Sequence, residues 1–175
     1  MNPKEIYEYA KKYGPSDETR AILCEFSDPA RWYALNINKY SRKAIENVAC
    51  ECSFQAYQYA RYIDKCPRDD TRKAACQNSL YAYWYARDVD KCPRDDTKEV
   101  ACKNHKCAYR YACYVDECPR EDTRKAACED PEYAYLYAKN VDKGFHEDTW
   151  LAIKGTEYEE EYKEFFNNQM KEEII

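Results

Sequence analysis

Glycine and proline are scarce in this chain, with 3 and 7 among 175 residues. Short strands joined by tight turns need these residues, so their scarcity argues against a many-stranded β fold. No stretch approaches the roughly 18 consecutive apolar residues that a membrane-spanning helix needs. The N-terminal sequence MNPKEIYEYAKKYG lacks the basic start and apolar core of a signal peptide. We therefore expect a cytoplasmic protein that does not bind a membrane.

Residues that commonly carry catalysis are also few. The two histidines, His105 and His146, have no partner at the spacing of a catalytic motif, which favours surface positions for both. The three glycines stand apart at positions 14, 144 and 155, so there is no glycine-rich phosphate loop. The net charge is -5 with acids and bases interleaved, which argues against nucleic acid as a direct ligand. We predict no enzyme activity, no catalytic residues and no cofactor.

Cysteine is abundant, with 11 residues, but its pattern does not indicate metal binding or disulfides. The odd number and the missing signal peptide favour reduced thiols. Structural zinc sites usually contain C-x2-C pairs, and the closest approach to one is Cys50 with Cys52 in a single place. Buried packing is the preferred role for the cysteines, and a metal or redox role is the alternative.

A repeat of 26 residues organises most of the chain. The segments 57–76, 83–102, 109–128 and 135–154 align without gaps, and two weaker copies precede them. A cysteine recurs every 26 residues, at Cys24, Cys50, Cys76, Cys102 and Cys128. A fixed period of this length is typical of helical repeat arrays, whose end units diverge because they cap the stack.

Each repeat predicts two short helices. The first begins at a capping residue, Asn78, Asn104 or Asp130, and ends before a Cys-Pro step, because proline disfavours helical geometry at the residue before it. The second helix follows at once, with acids such as Asp95 and Asp96 in its first turn, where they favour the helix N-terminus. The fold class is therefore all-α: an α-solenoid of about six hairpins with a C-terminal capping helix. We predict one domain over 1–175, with divergent units in 1–48, regular repeats in 49–154 and the capping helix in 155–175.

Some positions hold nearly the same residue in every repeat, and we call these copied. Other positions differ from repeat to repeat, and we call these uncopied. The two kinds of position predict different roles. Ala82, Tyr85, Ala86 and Val89 have the i, i+3, i+4, i+7 spacing of an inward stripe. The arginines of the copied Arg-Asp-Asp-Thr segment are interpreted as structural, and an anion-binding row is the alternative. The register of position 84 lies opposite the stripe and differs between repeats, as does the register four residues later. These uncopied positions are the predicted partner-binding residues: Trp32, Gln58, Trp84, Arg110 and Leu136, flanked by Asn36, Tyr62, Asp88, Tyr114 and Asn140.

Tryptophan and arginine are common in interface hot spots, which favours a protein partner for this row. The alternative is that the row consists of solvent positions that are free to vary. The units YAYWYARDVDKCPRDDT and YAYLYAKNVD resemble tyrosine-rich helical-hairpin repeats of uncharacterised bacteriophage proteins. That resemblance implies a protein that binds and disables a host factor, such as a defence enzyme. The alternatives are a redox- or metal-sensing thiol protein and a nucleotide-binding sponge with a tyrosine-lined groove.

Overall fold

A computed structural model describes the backbone of residues 52–173, with side chains for 52–62 and 64–166. Within these ranges the chain is helical and contains no β-strand, which confirms the predicted all-α class there. The chain divides into two compact units, Met1–Gln77 and Asn78–Ile175. The divergent units predicted for 1–48, with Trp32 and Asn36, lie outside the described residues.

Three helical segments form the described part of the first unit. Helix α1 spans Ser53–Tyr59 and continues as a π-helical turn, π1, over Ala60–Asp64. Helix α2 spans Asp69–Ala75 and packs against α1. Ala56, Tyr57 and Tyr59 are buried on α1, so the two short helices share an apolar contact.

The second unit contains three further helix pairs and one longer helix. Each pair has a first helix, a π-helical turn and a second helix, and each first helix packs against its own second helix. In order, the elements are α3 Ser79–Tyr85, π2 Ala86–Asp90, α4 Asp95–Ala101, α5 His105–Tyr111, π3 Ala112–Asp116, α6 Glu121–Ala127, α7 Pro131–Tyr137, π4 Ala138–Asp142, α8 Glu147–Ile153 and α9 Glu159–Glu173. The first helices therefore begin at positions 79, 105 and 131, which repeats the 26-residue period of the sequence.

Helix starts agree with the predicted caps. The Asn78 side chain accepts a hydrogen bond from the Leu80 amide at 3.0 Å. Asn104 accepts one from the Cys107 amide at 3.1 Å, and Asp130 one from the Glu132 amide at 3.0 Å. These contacts satisfy amides of the first turn that have no partner within the helix.

The ends of the first helices differ from expectation. The sequence predicts an α-helix up to the Cys-Pro step, whereas the structure widens the last turn into π-helix. The chain then reverses through a residue in left-handed conformation, with φ of 53° to 55°, at Lys65, Lys91, Glu117 and Lys143. In π2 the turn is closed by the Lys91 amide, which donates to the Ala86 carbonyl at 2.8 Å. Left-handed geometry is costly for residues other than glycine, so the surrounding packing must impose it.

The cysteines of the Cys-Pro steps lie just beyond these left-handed residues. The predicted break between helices at Cys66, Cys92 and Cys118 is therefore confirmed. Their predicted burial is wrong, since all three are exposed. The chain reverses at the left-handed residue immediately before each cysteine. The cysteines therefore lie on the turn and outside the contact between the two helices of a pair. Cys107 is buried, and Cys76, Cys102, Cys113 and Cys128 are half-buried.

The predicted inward stripe of α3 and π2 is confirmed. Ala82, Tyr85 and Ala86 are fully buried, and Val89 is 8% exposed. The alanines recur at the corresponding positions of α5 and α7 and are buried there too, at Ala108, Ala112, Ala134 and Ala138. Small side chains at these contacts let neighbouring helices approach closely.

A buried tyrosine hydroxyl joins each second helix of the second unit to the next helix along the chain. Tyr111 on α5 lies 3.0 Å from the Thr97 hydroxyl, and its oxygen accepts from the Arg94 amide at 3.0 Å. Tyr137 on α7 makes the same contacts with Thr123 and Arg120, at 2.9 and 3.0 Å. Burial raises the pKa of Tyr111 to about 12. Because each tyrosine hydroxyl accepts from the amide of the residue before the second helix, it acts as a cap for that helix.

Helix α9 takes the position of a further first helix. Its Tyr162 is fully buried and bonds to Thr149 at 3.0 Å and to the His146 amide at 3.3 Å. Tyr162 and Phe166 share a hydrophobic cluster with Ile153 of α8. The predicted helix in 155–175 is thus present over Glu159–Glu173, and it packs on the last pair through the same contact that the repeats use.

Candidate interaction surface

The predicted row at positions 58, 84, 110 and 136 is half-buried throughout. Trp84 packs edge-on against Tyr81, with ring centroids 5.4 Å apart. It also packs against the buried cluster that contains Tyr83 and Tyr111. Trp84, which the sequence places opposite the inward stripe, is therefore partly covered by its neighbours. Because alanines bring the helices close together, side chains beside the inward stripe are also partly covered.

Other members of this row differ in their surroundings. The Gln58 side-chain oxygen is buried and has no hydrogen-bond partner among the residues that the structure describes. Arg110 and Leu136 are half-buried, and the positive charge of Arg110 acts on Tyr83 and Cys107. The row is thus partly accessible and not uniformly apolar.

The flanking row is exposed at positions 114 and 140 and half-buried at positions 62 and 88. Tyr114 is 59% exposed and is one of three large apolar side chains that are exposed among the described residues. Asn140 is exposed and donates to the Tyr109 hydroxyl at 2.8 Å. Asp88 is held in a two-pronged ion pair by Arg87, at 2.7 and 3.0 Å. In the first unit, the Arg61 guanidinium lies 5.1 Å from the ring centroid of Tyr62.

A cation lies over a tyrosine ring in three of the first helices. Arg87 donates to the Tyr83 hydroxyl at 3.0 Å, with its guanidinium carbon 5.2 Å from the ring centroid. Lys139 makes the same pair with Tyr135, at 3.4 and 5.4 Å. Arg61 hydrogen-bonds to Tyr57 in the first unit. The i, i+4 spacing of tyrosine and cation was visible in the sequence, but the prediction did not use it.

Position 113 breaks this pattern, because a cysteine replaces the cation beside Tyr109. A groove of about 250 Å³ lies there, lined by Ala112, Cys113, Glu117, Cys118, Asn140, Val141 and Lys143. The groove contains two thiols, one carboxylate, one ammonium and one amide. Burial raises the pKa of Cys113 and raises that of Tyr109 to about 12. Both groups are therefore protonated at neutral pH.

An aromatic cluster continues from Tyr109 across α5 and α7. The Tyr109 and Tyr133 ring centroids are 6.0 Å apart, and the His105 ring lies 5.1 Å from Tyr133. His105 also lies 3.8 Å from Asp130. His146 caps α8, since its Nδ1 accepts from the Asp148 amide at 3.2 Å. Both histidines are half-buried, so each has a packing or capping role that the sequence did not indicate.

The copied arginines support the structural interpretation of the Arg-Asp-Asp-Thr segment. Each lies near the acid two residues later: Arg68 and Asp70 are 2.5 Å apart, and Arg94 and Asp96 are 3.2 Å apart. Arg120 and Asp122 are 3.7 Å apart. Hydrogen bonding to Arg68 holds the pKa of Asp70 below its usual value. The arginine charges are thus compensated locally, which weakens the case for an anion-binding row.

The half-buried thiols have the protonation state of packing residues. Burial raises the pKa of Cys102 and of Cys128 to about 11. A thiolate is the reactive and metal-binding form of cysteine, so these two are poor nucleophiles at neutral pH. The part of the chain that the structure describes contains no group of three or more His, Cys, Asp or Glu side chains that could hold a metal ion.

Among residues 52–173, no helix is long and apolar enough to cross a membrane. No known protein family, curated protein or solved structure matches this chain.

Proposed function

We propose that the chain is a non-enzymatic protein-binding module, built as an α-solenoid of about six 26-residue hairpins. The partner contacts the uncopied positions of the first helices, with Tyr114, Arg110 and Trp84 at the centre. The resemblance of the repeat motif to bacteriophage proteins leads us to propose a phage inhibitor of a host enzyme that acts in the host cytoplasm.

The observation that carries the proposal is the separation of copied and uncopied residues. Copied side chains, such as Tyr111 and Thr97, are committed to contacts within the repeat array. Position 114 is not copied, and its tyrosine is 59% exposed. Exposed tyrosine supplies a large amphipathic contact area at little entropic cost, which suits a binding surface.

Tyr114→Ala and Arg110→Ala are better probes of this surface than Trp84→Ala, because Trp84 also packs against a buried cluster. Leu151→Ala is a matched control, since Leu151 is 62% exposed and lies outside the predicted surface. The affinity-tagged chain is used to capture a stoichiometric partner from host lysate, and the captured protein is identified by mass spectrometry.

We expect Tyr114→Ala to weaken the purified complex by about tenfold, as the loss of a moderate hot spot does. Leu151→Ala should leave the affinity unchanged, and circular dichroism should show equal helicity in both variants. Equal affinities for the wild type and Tyr114→Ala would place the interface elsewhere. Turnover of a captured partner by the chain would overturn the non-enzymatic proposal.

A further inference from the structure

The helix pair α5 and α6 departs from the other pairs at two cationic positions. Residues 26 apart in the first helices carry a cation at Arg61, Arg87 and Lys139, where this pair has Cys113. Four residues later the others carry Lys65, Lys91 and Lys143, where this pair has Glu117. Cys113 and Glu117 line the same groove of about 250 Å³. We call it the Cys113 groove.

In other repeats, a cation lies over the ring of the tyrosine that corresponds to Tyr109. In α3 and π2 the Arg87 guanidinium covers the Tyr83 ring and donates to its hydroxyl at 3.0 Å. In α7 and π4 the Lys139 ammonium covers the Tyr135 ring in the same way. Tyr109 has the equivalent ring, and no cation lies over it among the described residues. Tyr109 lies beside the groove and is not one of its lining residues. Its hydroxyl accepts from Asn140 and is hydrogen-bonded to Cys113, and both of these residues line the groove.

The groove has the space and the altered charge that a cationic guest needs. A volume of about 250 Å³ equals that of roughly eight liquid waters. With the residues of the other repeats, the lining would carry three cations, at positions 113, 117 and 143. Here it carries one cation, Lys143, and one anion, Glu117. The two substitutions therefore remove two of the three charges that would repel a cation, and they add a carboxylate that attracts one.

We propose that the Cys113 groove receives an arginine side chain of the protein partner, whose guanidinium covers Tyr109 and pairs with Glu117. The inference rests on the proposed function and names the chemistry of the partner residue. Arginine fits better than lysine, because a planar guanidinium both stacks on a ring and binds a carboxylate in two-pronged geometry. Tyr114, which follows Cys113 in sequence, is 59% exposed and belongs to the same proposed surface.

A peptide titration tests the groove without the natural partner. The full chain is labelled with ¹⁵N and titrated at low salt with the capped tripeptide Ala-Arg-Ala. A second titration uses the same peptide with citrulline, which has the shape of arginine without its charge. We expect saturable shifts of the Cys113, Glu117 and Asn140 amides. The citrulline peptide should bind at least about fivefold more weakly, because it loses both the cation–π contact and the ion pair with Glu117.

Variants that restore the repeat pattern supply the matched controls. Cys113→Arg places the chain's own guanidinium over Tyr109, as in the other pairs, so it should keep the fold and abolish peptide binding. Glu117→Lys should also weaken peptide binding, because it replaces the attracting carboxylate with a cation. Lys143→Gln should strengthen peptide binding, because it removes a charge of the same sign as the peptide's arginine. Arginine at the register of position 113 and lysine at that of position 117 occur elsewhere in the chain, so the fold should tolerate Cys113→Arg and Glu117→Lys.

Equal binding of the arginine and citrulline peptides would overturn the proposal. So would undiminished binding by a folded Cys113→Arg variant, or shifts spread over acidic residues outside the groove. The proposed protein-binding function is tested separately, by the capture of a partner and by the Tyr114→Ala variant. A partner that binds equally well to Cys113→Arg would refute the groove and leave the protein-binding role intact.

Discussion

Arg124 holds the carboxylate of Asp142 in a two-pronged ion pair, with N–O distances of 2.6 and 3.0 Å. Both side chains are nearly buried, at 11% and 6% exposure. The equivalent residues one repeat earlier are Lys98 and Asp116, and they do not pair in this way. The Lys98 ammonium lies 3.2 Å from Asp122 instead. Both carboxylate oxygens of Asp116 are buried without a hydrogen-bond partner among the described residues.

This difference predicts that Lys98→Arg stabilises the protein. A guanidinium at position 98 has the reach and fork geometry to bind Asp116 as Arg124 binds Asp142. We expect the free energy of unfolding to rise by about 1 kcal/mol, the net value of a charge-assisted hydrogen bond. Urea denaturation measures the change. Lys125→Arg is the control, because Lys125 is 65% exposed and its surface ion pair contributes little. Unchanged stability in Lys98→Arg would show that Asp116 lies out of reach.

Asp116 also predicts a pH dependence of stability. Burial raises the pKa of its carboxyl above the usual 3.8, and the charges of Lys98 and Arg120 oppose this shift. The folded state therefore favours the protonated carboxyl. Its stabilising contribution is complete below pH 3.8 and is lost as pH rises through the folded pKa.

Asp116→Asn removes this titration. We expect the variant to gain stability relative to the wild type as pH rises above 3.8, reaching about 1 kcal/mol once Asp116 is ionised. Urea denaturation at a series of pH values measures the difference. A constant difference between the two proteins across this range would contradict the prediction.

The tyrosine hydroxyl between α4 and α5 should contribute measurably to stability. Tyr111→Phe leaves the ring in place but removes the partner of the Thr97 hydroxyl and the Arg94 amide. We expect a loss of about 2 kcal/mol, because buried polar groups lose their hydrogen bond. Tyr114→Phe is the matched control, since its exposed hydroxyl should matter by less than about 0.5 kcal/mol. Thermal denaturation distinguishes the two, and equal melting temperatures would refute the capping role.

The left-handed turn residues predict stabilising glycine substitutions. Lys91 has φ of 55° and is exposed, so Lys91→Gly removes backbone strain and leaves the core intact. The relief exceeds the entropy cost of glycine in the unfolded chain, and we expect a net gain of about 0.5 kcal/mol. Lys103→Gly is the control, because Lys103 is exposed and has no positive φ. It should lose stability in the same denaturation assay.

Much of the local structure could be predicted from the sequence. The caps at Asn78, Asn104 and Asp130, the break at Cys-Pro and the buried alanine stripe depend on residues a few positions apart. Capping bonds and proline sterics act over that range, so the sequence contains the required information. The number of hairpins and the partner-binding row stay predictions, and Trp32 lies outside the described residues.

What the sequence by itself determined is the 26-residue period and the helices that follow from it, because these rest on short-range backbone geometry. The tertiary structure alone decided that Trp84 is half-buried and that Cys113 lines a groove. It also decided that Lys98 pairs with Asp122, and that the Asp116 carboxylate has no hydrogen-bond partner among the described residues. Those outcomes depend on which side chain of a neighbouring helix lies within a few ångströms. The repeat spacing does not specify that distance, since residues 18 or more positions apart meet only when the helices pack.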